Sequence, residues 1–183
     1  MKFFLFIIAL FQGAITFSQS ETEKEILVYI NKVRTNPQQF LEEVAEPYII
    51  KNDYSRNRYA RSLIKTLRNS PVLTPLKFDT SLQLLAESFA EEAGKKGWTG
   101  HVKVDQRFKK HADHIDITAE NLQFGFNEAL DIVMDLLIDF DIPSYGHRNN
   151  ILDADFSIIG VAIDSHKEYD YITVMAFGGY DEE

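Results

Sequence analysis

The amino-terminal half of the chain has apolar residues at helical spacing, separated by polar breaks. The stretch Ile26–Val33 has this spacing. It follows Thr22 and Glu25, which have the T-x-x-E pattern of a capping box. The pattern therefore predicts a first helix that begins at this box and ends near Thr35.

A second helix is predicted to begin at Asn36, because Pro37 then lies in its first turn, where a missing N–H costs nothing. Residues 46–71 have little apolar periodicity, so we predict a long connection that contains a partial helix over Tyr59–Leu67. Basic residues recur there at near-helical spacing, which is typical of one solvated helix face. They are Arg56, Arg58, Arg61, Lys65 and Arg68.

Two later helices have clearer signals. Asp79 or Thr80 is predicted to start the first of them, and Gly97 is predicted to end it in a left-handed turn. The apolar spacing after Asn127 continues through Phe140 and predicts a long helix that is ended by the proline at position 143.

The carboxy-terminal part changes to a period of two. Residues 156–164 and 171–177 are rich in β-branched and aromatic residues and are predicted to form a hairpin. Apolar or small residues lie on both faces of the first strand: Ile159, Val161 and Ile163 on one, and Ile158, Gly160 and Ala162 on the other. Helices are therefore predicted to cover the sheet on both sides.

Residues 1–18 have the layout of a secretory signal peptide. A positive start precedes the unbroken apolar run Phe3–Phe11, and Thr16 and Ser18 are small residues suited to cleavage after position 18. The run is shorter than the roughly 20 apolar residues that a membrane span needs. We therefore expect a secreted or periplasmic protein, with residues 19–183 as a single domain and no transmembrane segment.

Composition limits the partners and the chemistry. The chain has no cysteine, so it forms no disulfide and carries no lipid anchor on cysteine. Its formal net charge of −9 at pH 7 argues against a nucleic-acid partner. Motifs of the G-x-G-x-x-G, Walker and G-x-S-x-G types do not occur, which argues against a nucleotide cofactor and a serine nucleophile.

Four polar residues lie where apolar segments meet loops: His101, Glu120, Asp139 and His147. Imidazole nitrogens and carboxylate oxygens suit zinc and similar divalent cations, and the same groups perform acid–base chemistry. Each residue also has a structural interpretation. His101 falls in the loop-like stretch Trp98–Ile117, Glu120 suits a turn, and Asp139 and His147 suit helix ends. Spacing alone leaves both interpretations open, because no tight ligand pair such as H-E-x-x-H is present.

Six segments occur in the order found in the CAP superfamily, which includes cysteine-rich secretory proteins, insect venom antigens and pathogenesis-related plant proteins. They are "INKVRTNP", "LKFDTSLQLLAESFAEEA", "GH", "AENL", "SYGHRNNILDADFSIIGVAI" and "YITVMAFGG". The chain resembles the cysteine-free bacterial branch of that family over residues 23–178. The resemblance implies an α+β fold, a three-layer α/β/α sandwich with a mainly antiparallel central sheet.

The resemblance also implies a central cavity that presents His101, Glu120, Asp139 and His147. The two histidines would be the metal ligands, with Glu120 and Asp139 as carboxylate partners and zinc as one suitable cation. Gly146 is expected to let the backbone turn sharply, so that the ring of His147 points into the cavity.

Four features depart from the family pattern. Asp139 replaces a glutamate found in many members, and Leu136 stands where tryptophan is usual. The spacing from His101 to Glu120 is long, and the segment 46–71 is longer than the family minimum.

The resemblance implies a non-enzymatic binding module for a divalent cation, a lipid or sterol, or a protein partner. Tyr48, Tyr54 and Tyr59 either line an apolar groove for such a lipid or pack on the helix beneath them. The alternative is a metal-assisted hydrolase or peptidase, with Glu120 as the base and His147 as a second catalytic residue. A third interpretation is that the polar residues only tie loops to helices.

Overall fold

The computed structural model describes residues 19–181, so the predicted signal peptide, residues 1–18, lies outside the described residues. The helices are α1 (Glu21–Thr35), α2 (Pro37–Phe40), α3 (Glu46–Lys51), α4 (Arg58–Asn69), α5 (Thr80–Lys96), α6 (Val104–His111), α7 (Ala129–Ile138) and α8 (Gly146–Ile151). A π-helical segment, Leu41–Ala45, joins α2 to α3. The strands are β1 (Lys77–Phe78), β2 (Ile117–Phe124), β3 (Ile158–His166) and β4 (Asp170–Gly179).

The four strands form one sheet in the order β1-β3-β4-β2. The short strand β1 pairs in parallel with β3, whereas β4 pairs antiparallel with both β3 and β2. The sheet is therefore mixed, and its long strands are antiparallel. The predicted hairpin is confirmed, and its ladder runs on to the pair His166 and Asp170.

Helices cover both faces of the sheet. Val161 and Met175 pack with α1 and α7 in the larger core, while Ala162 and Val174 pack with α5 in a second core. Successive residues of each strand thus enter different apolar layers, as the period of two requires. The predicted α+β fold, an α/β/α sandwich, is confirmed.

Helix α1 begins two residues before the predicted capping box. Ser20 is its N-cap, and its Oγ accepts from the backbone N–H of Glu23 at 3.2 Å, while Glu23 Oε2 accepts from the N–H of Ser20 at 2.6 Å. The predicted box at Thr22 and Glu25 is therefore wrong in position. The box forms with Glu23 in place of Glu25, because the second oxygen of Glu23 also accepts from the N–H of Ile163 in β3, at 3.1 Å.

Two short helices were not predicted. The stretch predicted as a loop, Trp98–Ile117, contains α6, and the weakly patterned segment 46–71 contains α3 as well as the predicted helix α4. Helix α6 buries only Phe108 and α3 buries only Ile49. One buried side chain gives no periodicity, so neither helix had a sequence signal.

Helix α7 is shorter than predicted at both ends. Glu128, and not Asn127, is the N-cap residue. Asp139 ends the helix because it adopts a left-handed conformation, with φ of 61°, so Phe140 and Pro143 lie beyond it.

Strand β2 was not predicted either, and the structural interpretation of Glu120 as a turn residue is wrong, because Glu120 and Asn121 belong to this strand. Both residues pair with β4, opposite Ala176 and Met175. The strand carries four polar residues, Thr118, Glu120, Asn121 and Gln123, and the last three are buried. A half-buried strand is predicted from alternating apolar and polar residues, and the buried polar side chains of β2 remove this alternation.

No helix among residues 19–181 combines the length and the apolarity that crossing a membrane requires.

Gly160 fixes how closely α5 approaches the sheet. A Cβ at this position would lie 2.2 Å from Gln83 N and from Leu82 C. We expect Gly160→Ala to lower the free energy of unfolding by about 3 kcal/mol, because backbone atoms cannot move aside cheaply. Gly146→Ala is the matched control, since its nearest atom would be 3.7 Å away. Equal urea midpoints for the two variants would contradict this packing.

Candidate functional site

Glu120 is a buried carboxylate on the edge strand β2, with 1% of its side chain exposed. Its neighbour across the ladder, Ala176, packs in the core formed with α5 and α6, so Glu120 lies on that face of the sheet. Its Oε1 accepts from His101 Nδ1 at 2.9 Å and from Arg107 Nη2 at 2.9 Å. Arg107 Nη1 donates to the other oxygen, Oε2.

Arg107 holds this carboxylate in its ionised form. Burial by itself would raise the pKa of Glu120, but the hydrogen bonds and charge of Arg107, together with those of His101, outweigh burial and hold that pKa below its usual value. Arg107 is in turn fixed by its Nε, which donates to the carbonyl of Val102 at 2.9 Å, and by the ring of Phe89, 3.6 Å from the guanidinium carbon.

Asp139 and His147 form a second pair, between α7 and α8. His147 Nδ1 lies 2.7 Å from Asp139 Oδ1, and Asp139 Oδ2 accepts from the backbone N–H of His147 at 3.0 Å. The N–H of Arg148 lies 3.4 Å from the same oxygen. Asp139 thus ends α7 and caps α8, because its carboxylate accepts N–H groups that have no partner within the helix.

Arg148 completes the junction between α7 and α8. Its side chain is buried and donates to the carbonyls of Leu137 and Ile138, which are the last residues of α7. A buried cation at a helix C-terminus satisfies the free carbonyls and complements the helix dipole. Arg148 also donates to Ser62 Oγ at 3.0 Å, which ties this junction to α4.

Strand β2 separates the two pairs. Glu120 points toward α5 and α6, so the next residue, Asn121, points to the opposite face. There its Nδ2 donates to the carbonyl of His147 at 2.9 Å, and its Oδ1 accepts from Asn150 at 2.7 Å. The pair His101–Glu120 and the pair Asp139–His147 therefore belong to opposite layers of the sandwich.

Asp139 and His147 line a pocket of about 250 Å³ at the edge of the sheet, which His101 and Glu120 do not line. Its other lining residues are Leu122, Gln123, Phe124, Asp135, Leu136, Phe140 and Ile142. Gln123 Oε1 is buried without a hydrogen-bond partner. Burial, opposed in part by a hydrogen bond from Gln123, raises the pKa of Asp135.

The hydrogen bonds fix which nitrogen of each imidazole carries the proton in its neutral form. An ionised carboxylate only accepts, so Nδ1 of His101 and of His147 must be the donor. The other nitrogen, Nε2, then keeps its lone pair. This carboxylate–imidazole arrangement orients histidines that bind metals through Nε2.

The carboxylates themselves fit poorly as ligands of a shared cation. Both oxygens of Glu120 are held by Arg107, and both oxygens of Asp139 accept from His147 or the backbone of α8. Among residues 19–181, no group of three or more His, Asp or Glu side chains is placed to hold a metal ion. The four predicted residues are thus joined as two pairs, and cation binding stays a prediction.

The sharp turn before His147 is made by a different residue from the one predicted. Tyr145 has a φ of 51°, whereas Gly146 is the first residue of α8 and does not have a positive φ. The ring of Tyr145 packs beside the Arg148 guanidinium, whose carbon lies 4.3 Å from the ring centroid. This contact holds Tyr145 in its strained backbone conformation.

Sequence reasoning missed Arg107 and Arg148, which position the two acids. Arg148 directly follows His147, so its position beside a candidate residue could have indicated a role. Nothing in the sequence indicated a role for Arg107, because its helix, α6, was not predicted.

The three tyrosines of segment 46–71 have different environments. Tyr59 is buried in the core, and Tyr54 packs edge-on against Phe140, with ring centroids 4.9 Å apart. Tyr48 donates to Asp131 at 2.9 Å and lines a recess of about 550 Å³ between α1, α3 and the start of α7, which we call the α1–α3 groove. Its other lining residues are Tyr29, Lys32, Glu43, Val44, Pro47, Lys51, Glu128, Leu130 and Asp131.

The α/β/α sandwich is the fold expected of a CAP domain. The profile of the CAP family, described as the cysteine-rich secretory protein family, matches residues 27–177. The chain belongs to this family.

Solved structures agree with the family. An outer surface protein of Borrelia burgdorferi is 25% identical, and the match covers 67% of this chain and 90% of that one, with a TM-score of 0.51. Venom allergen-like protein 4 of Schistosoma mansoni is 15% identical over 90% of this chain and 92% of that one, with a TM-score of 0.59, which shows a shared fold.

A third neighbour is an extracellular protein containing an SCP domain from Bacillus anthracis, 19% identical over 70% of this chain, with a TM-score of 0.47. The match covers 41% of that protein. No curated protein matches this chain.

Glu120→Gln tests the buried ion pair through its pH dependence. The pKa of Glu120 is lowered by folding, so ionised Glu120 stabilises the fold fully above its ordinary pKa of 4.5, and this contribution is lost as the pH falls through the lower value of the folded state. We expect Glu120→Gln to cost about 3 kcal/mol at neutral pH, because it removes one partner of a buried pair.

The difference in free energy of unfolding between the unaltered chain and Glu120→Gln should become smaller as the pH falls. Urea unfolding across the acidic range measures this difference. Glu91→Gln is the matched control, since Glu91 is 60% exposed and pairs with Lys95 on the surface of α5. A deficit that does not change with pH would contradict the ionised pair.

Proposed function

We propose that this chain acts outside the cytoplasm as a non-enzymatic binding domain, and that its ligand is an amphiphilic lipid held in the α1–α3 groove. The location is supported by the signal-peptide layout of residues 1–18 and by the printed names of its neighbours, which describe outer surface and extracellular proteins. Lipid binding is among the functions implied by the resemblance to the family.

The observation that carries the proposal is the size and lining of the α1–α3 groove. Its volume of about 550 Å³ lies within the range of roughly 300–1,000 Å³ that is usual for small-molecule sites. The pocket beside His147, at about 250 Å³, is below that range. The larger recess therefore suits a lipid, and the smaller one suits a single functional group.

The walls of the groove match an acyl chain. Val44, Pro47 and Leu130 supply aliphatic surface, and the rings of Tyr29 and Tyr48 add aromatic surface. A second recess of about 260 Å³, which shares Lys32, Glu43 and Val44 with the groove and adds Phe40, extends it toward α2.

The rim carries charges of both signs. Lys32 and Lys51 stand among Glu43, Glu128 and Asp131, and the last of these accepts from Tyr48. Mixed charges suit a zwitterionic headgroup, because each of its charges then meets an opposite one.

Val44→Gln tests the groove. We expect lysophosphatidylcholine to bind about tenfold more weakly, because a polar amide in the apolar wall lacks a hydrogen-bond partner when the acyl chain covers it. Native mass spectrometry after incubation with the lipid measures the bound fraction. Val72→Gln is the matched control, because Val72 is an exposed valine that lines neither the groove nor the recess beside it. No bound lipid on the unaltered chain, or equal loss in both variants, would refute the proposal.

A divalent cation such as zinc is a second candidate ligand, favoured by the free Nε2 of His101 and of His147. Because the two histidines lie in opposite layers, each would bind a separate ion, so calorimetric titration with zinc should lose part of its heat in His101→Ala and part in His147→Ala. Titrations that do not differ among the three proteins would remove this candidate. Its failure would leave the lipid proposal intact, because no histidine lines the α1–α3 groove.

A hydrolase that uses Glu120 as its base is disfavoured by the ion pair with Arg107. A general base must be free to take a proton, whereas Glu120 has a lowered pKa and both oxygens occupied. The same geometry makes Glu120 well suited to orient His101.

A further inference from the structure

The basic residues of segment 46–71 form a charge pattern opposite to that of the whole chain. Six Lys and Arg and two carboxylates give this segment a local charge of +4, whereas the full chain has a formal charge of −9. A cationic region on an acidic protein creates a directed electrostatic field, which attracts an anionic partner to one side of the molecule.

Helix α4 arranges four of these cations as one stripe. Arg58, Arg61, Lys65 and Arg68 are spaced by three, four and three residues, which places them on one side of a helix. All four are exposed, and their spacing along the helix axis gives a stripe about 15 Å long. The opposite side of α4 is buried, with Leu63 and Leu67 in the core.

Helix α3 adds an apolar residue to the same surface. Arg68, near the end of α4, lies 3.7 Å from Glu46 at the start of α3, so the two helices come together at this ion pair. Ile50 is four residues after Glu46 and therefore shares its side of α3. Its 70% exposure is unusual for isoleucine.

The acidic groups near the stripe are few. Glu46 lies beside Arg68, and Asp141 acts electrostatically on Arg58. Arg61 and Lys65, at the centre of the stripe, have no salt-bridge partner among the described residues.

We propose that the α3–α4 surface, formed by Ile50, Arg58, Arg61, Lys65 and Arg68, docks on an anionic phospholipid bilayer. The cations contact headgroup phosphates along the length of α4, and Ile50 inserts at the level of the headgroups. A row of cations beside an exposed apolar side chain is the pattern by which peripheral proteins bind such bilayers. The surface is distinct from the α1–α3 groove, so this proposal does not depend on the proposed function.

Neutralising the stripe tests the cations. The variant carries Arg61→Gln, Lys65→Gln and Arg68→Gln, and it retains Arg58, which contacts Tyr59. The control carries Lys77→Gln, Lys109→Gln and Lys110→Gln, the same change of charge at exposed positions elsewhere. All proteins keep the full 183 residues, so any contribution of residues 1–18 is common to them.

Cosedimentation with equimolar phosphatidylcholine and phosphatidylglycerol vesicles measures the binding, with phosphatidylcholine alone as the reference. Each basic residue near an anionic bilayer contributes roughly a fivefold factor, so we expect the stripe variant to bind on the order of 100-fold more weakly. The control should bind as the unaltered chain does. Raising the salt concentration should weaken the unaltered chain's binding, because exposed charges are screened.

Ile50→Ser tests insertion separately and should weaken binding about fivefold, whereas Val28→Ser, at an exposed valine of α1, should not change it. Equal binding of the stripe variant and the control, or no preference for the anionic vesicles, would overturn the proposal. Binding to soluble heparin but not to vesicles would also overturn it, because the partner would then be a soluble polyanion.

Discussion

The sheet is covered on both faces, and this constraint decides where every side chain of a strand can go. Because successive residues point to opposite layers, each strand must supply two different surfaces. On β3 both surfaces are apolar, with Val161 and Ala162 in separate cores. On the edge strand β2 two neighbouring residues are polar, so Glu120 points into the layer of α5 and Asn121 points into the layer of α7 and α8. The four polar residues implied by the resemblance to the family are thereby divided between two layers of this chain.

Each layer satisfies its own buried charge. Glu120 is neutralised by Arg107, and Asp139 is held by the N-terminus of α8 and by His147. Buried charges are tolerated when they are paired and hydrogen-bonded. Both acids therefore act as fixed anchors that orient an imidazole. The two proposed lipid-binding surfaces, the α1–α3 groove and the α3–α4 surface, lie elsewhere, on different sides of the short helix α3.

Much of the fold could be predicted from the sequence, because long helices and apolar strands have strong periodicity. Helix α5 and the hairpin of β3 and β4 were found for that reason. Strand β2 and helix α6 were not, since β2 buries polar residues and α6 buries only Phe108. The candidate site depends on the same two elements. His101, Glu120, Asp139 and His147 could be named as candidates from the sequence, but their division into pairs depends on the alternation of β2 and on Arg107 from α6, and neither element has a local sequence signal.

The division into two independent pairs is tested most directly by a double-mutant cycle between Glu120→Gln and Asp139→Asn, measured as free energies of unfolding at neutral pH. Asparagine tolerates the left-handed backbone at position 139, so the second substitution changes charge and not conformation. Residues without shared partners give additive effects, within about 0.5 kcal/mol. We predict additivity for this cycle, and a cycle between Glu120→Gln and Arg107→Met should show strong coupling. A coupling of about 1 kcal/mol or more between Glu120 and Asp139 would contradict the division into two pairs and would show that the four residues form one centre.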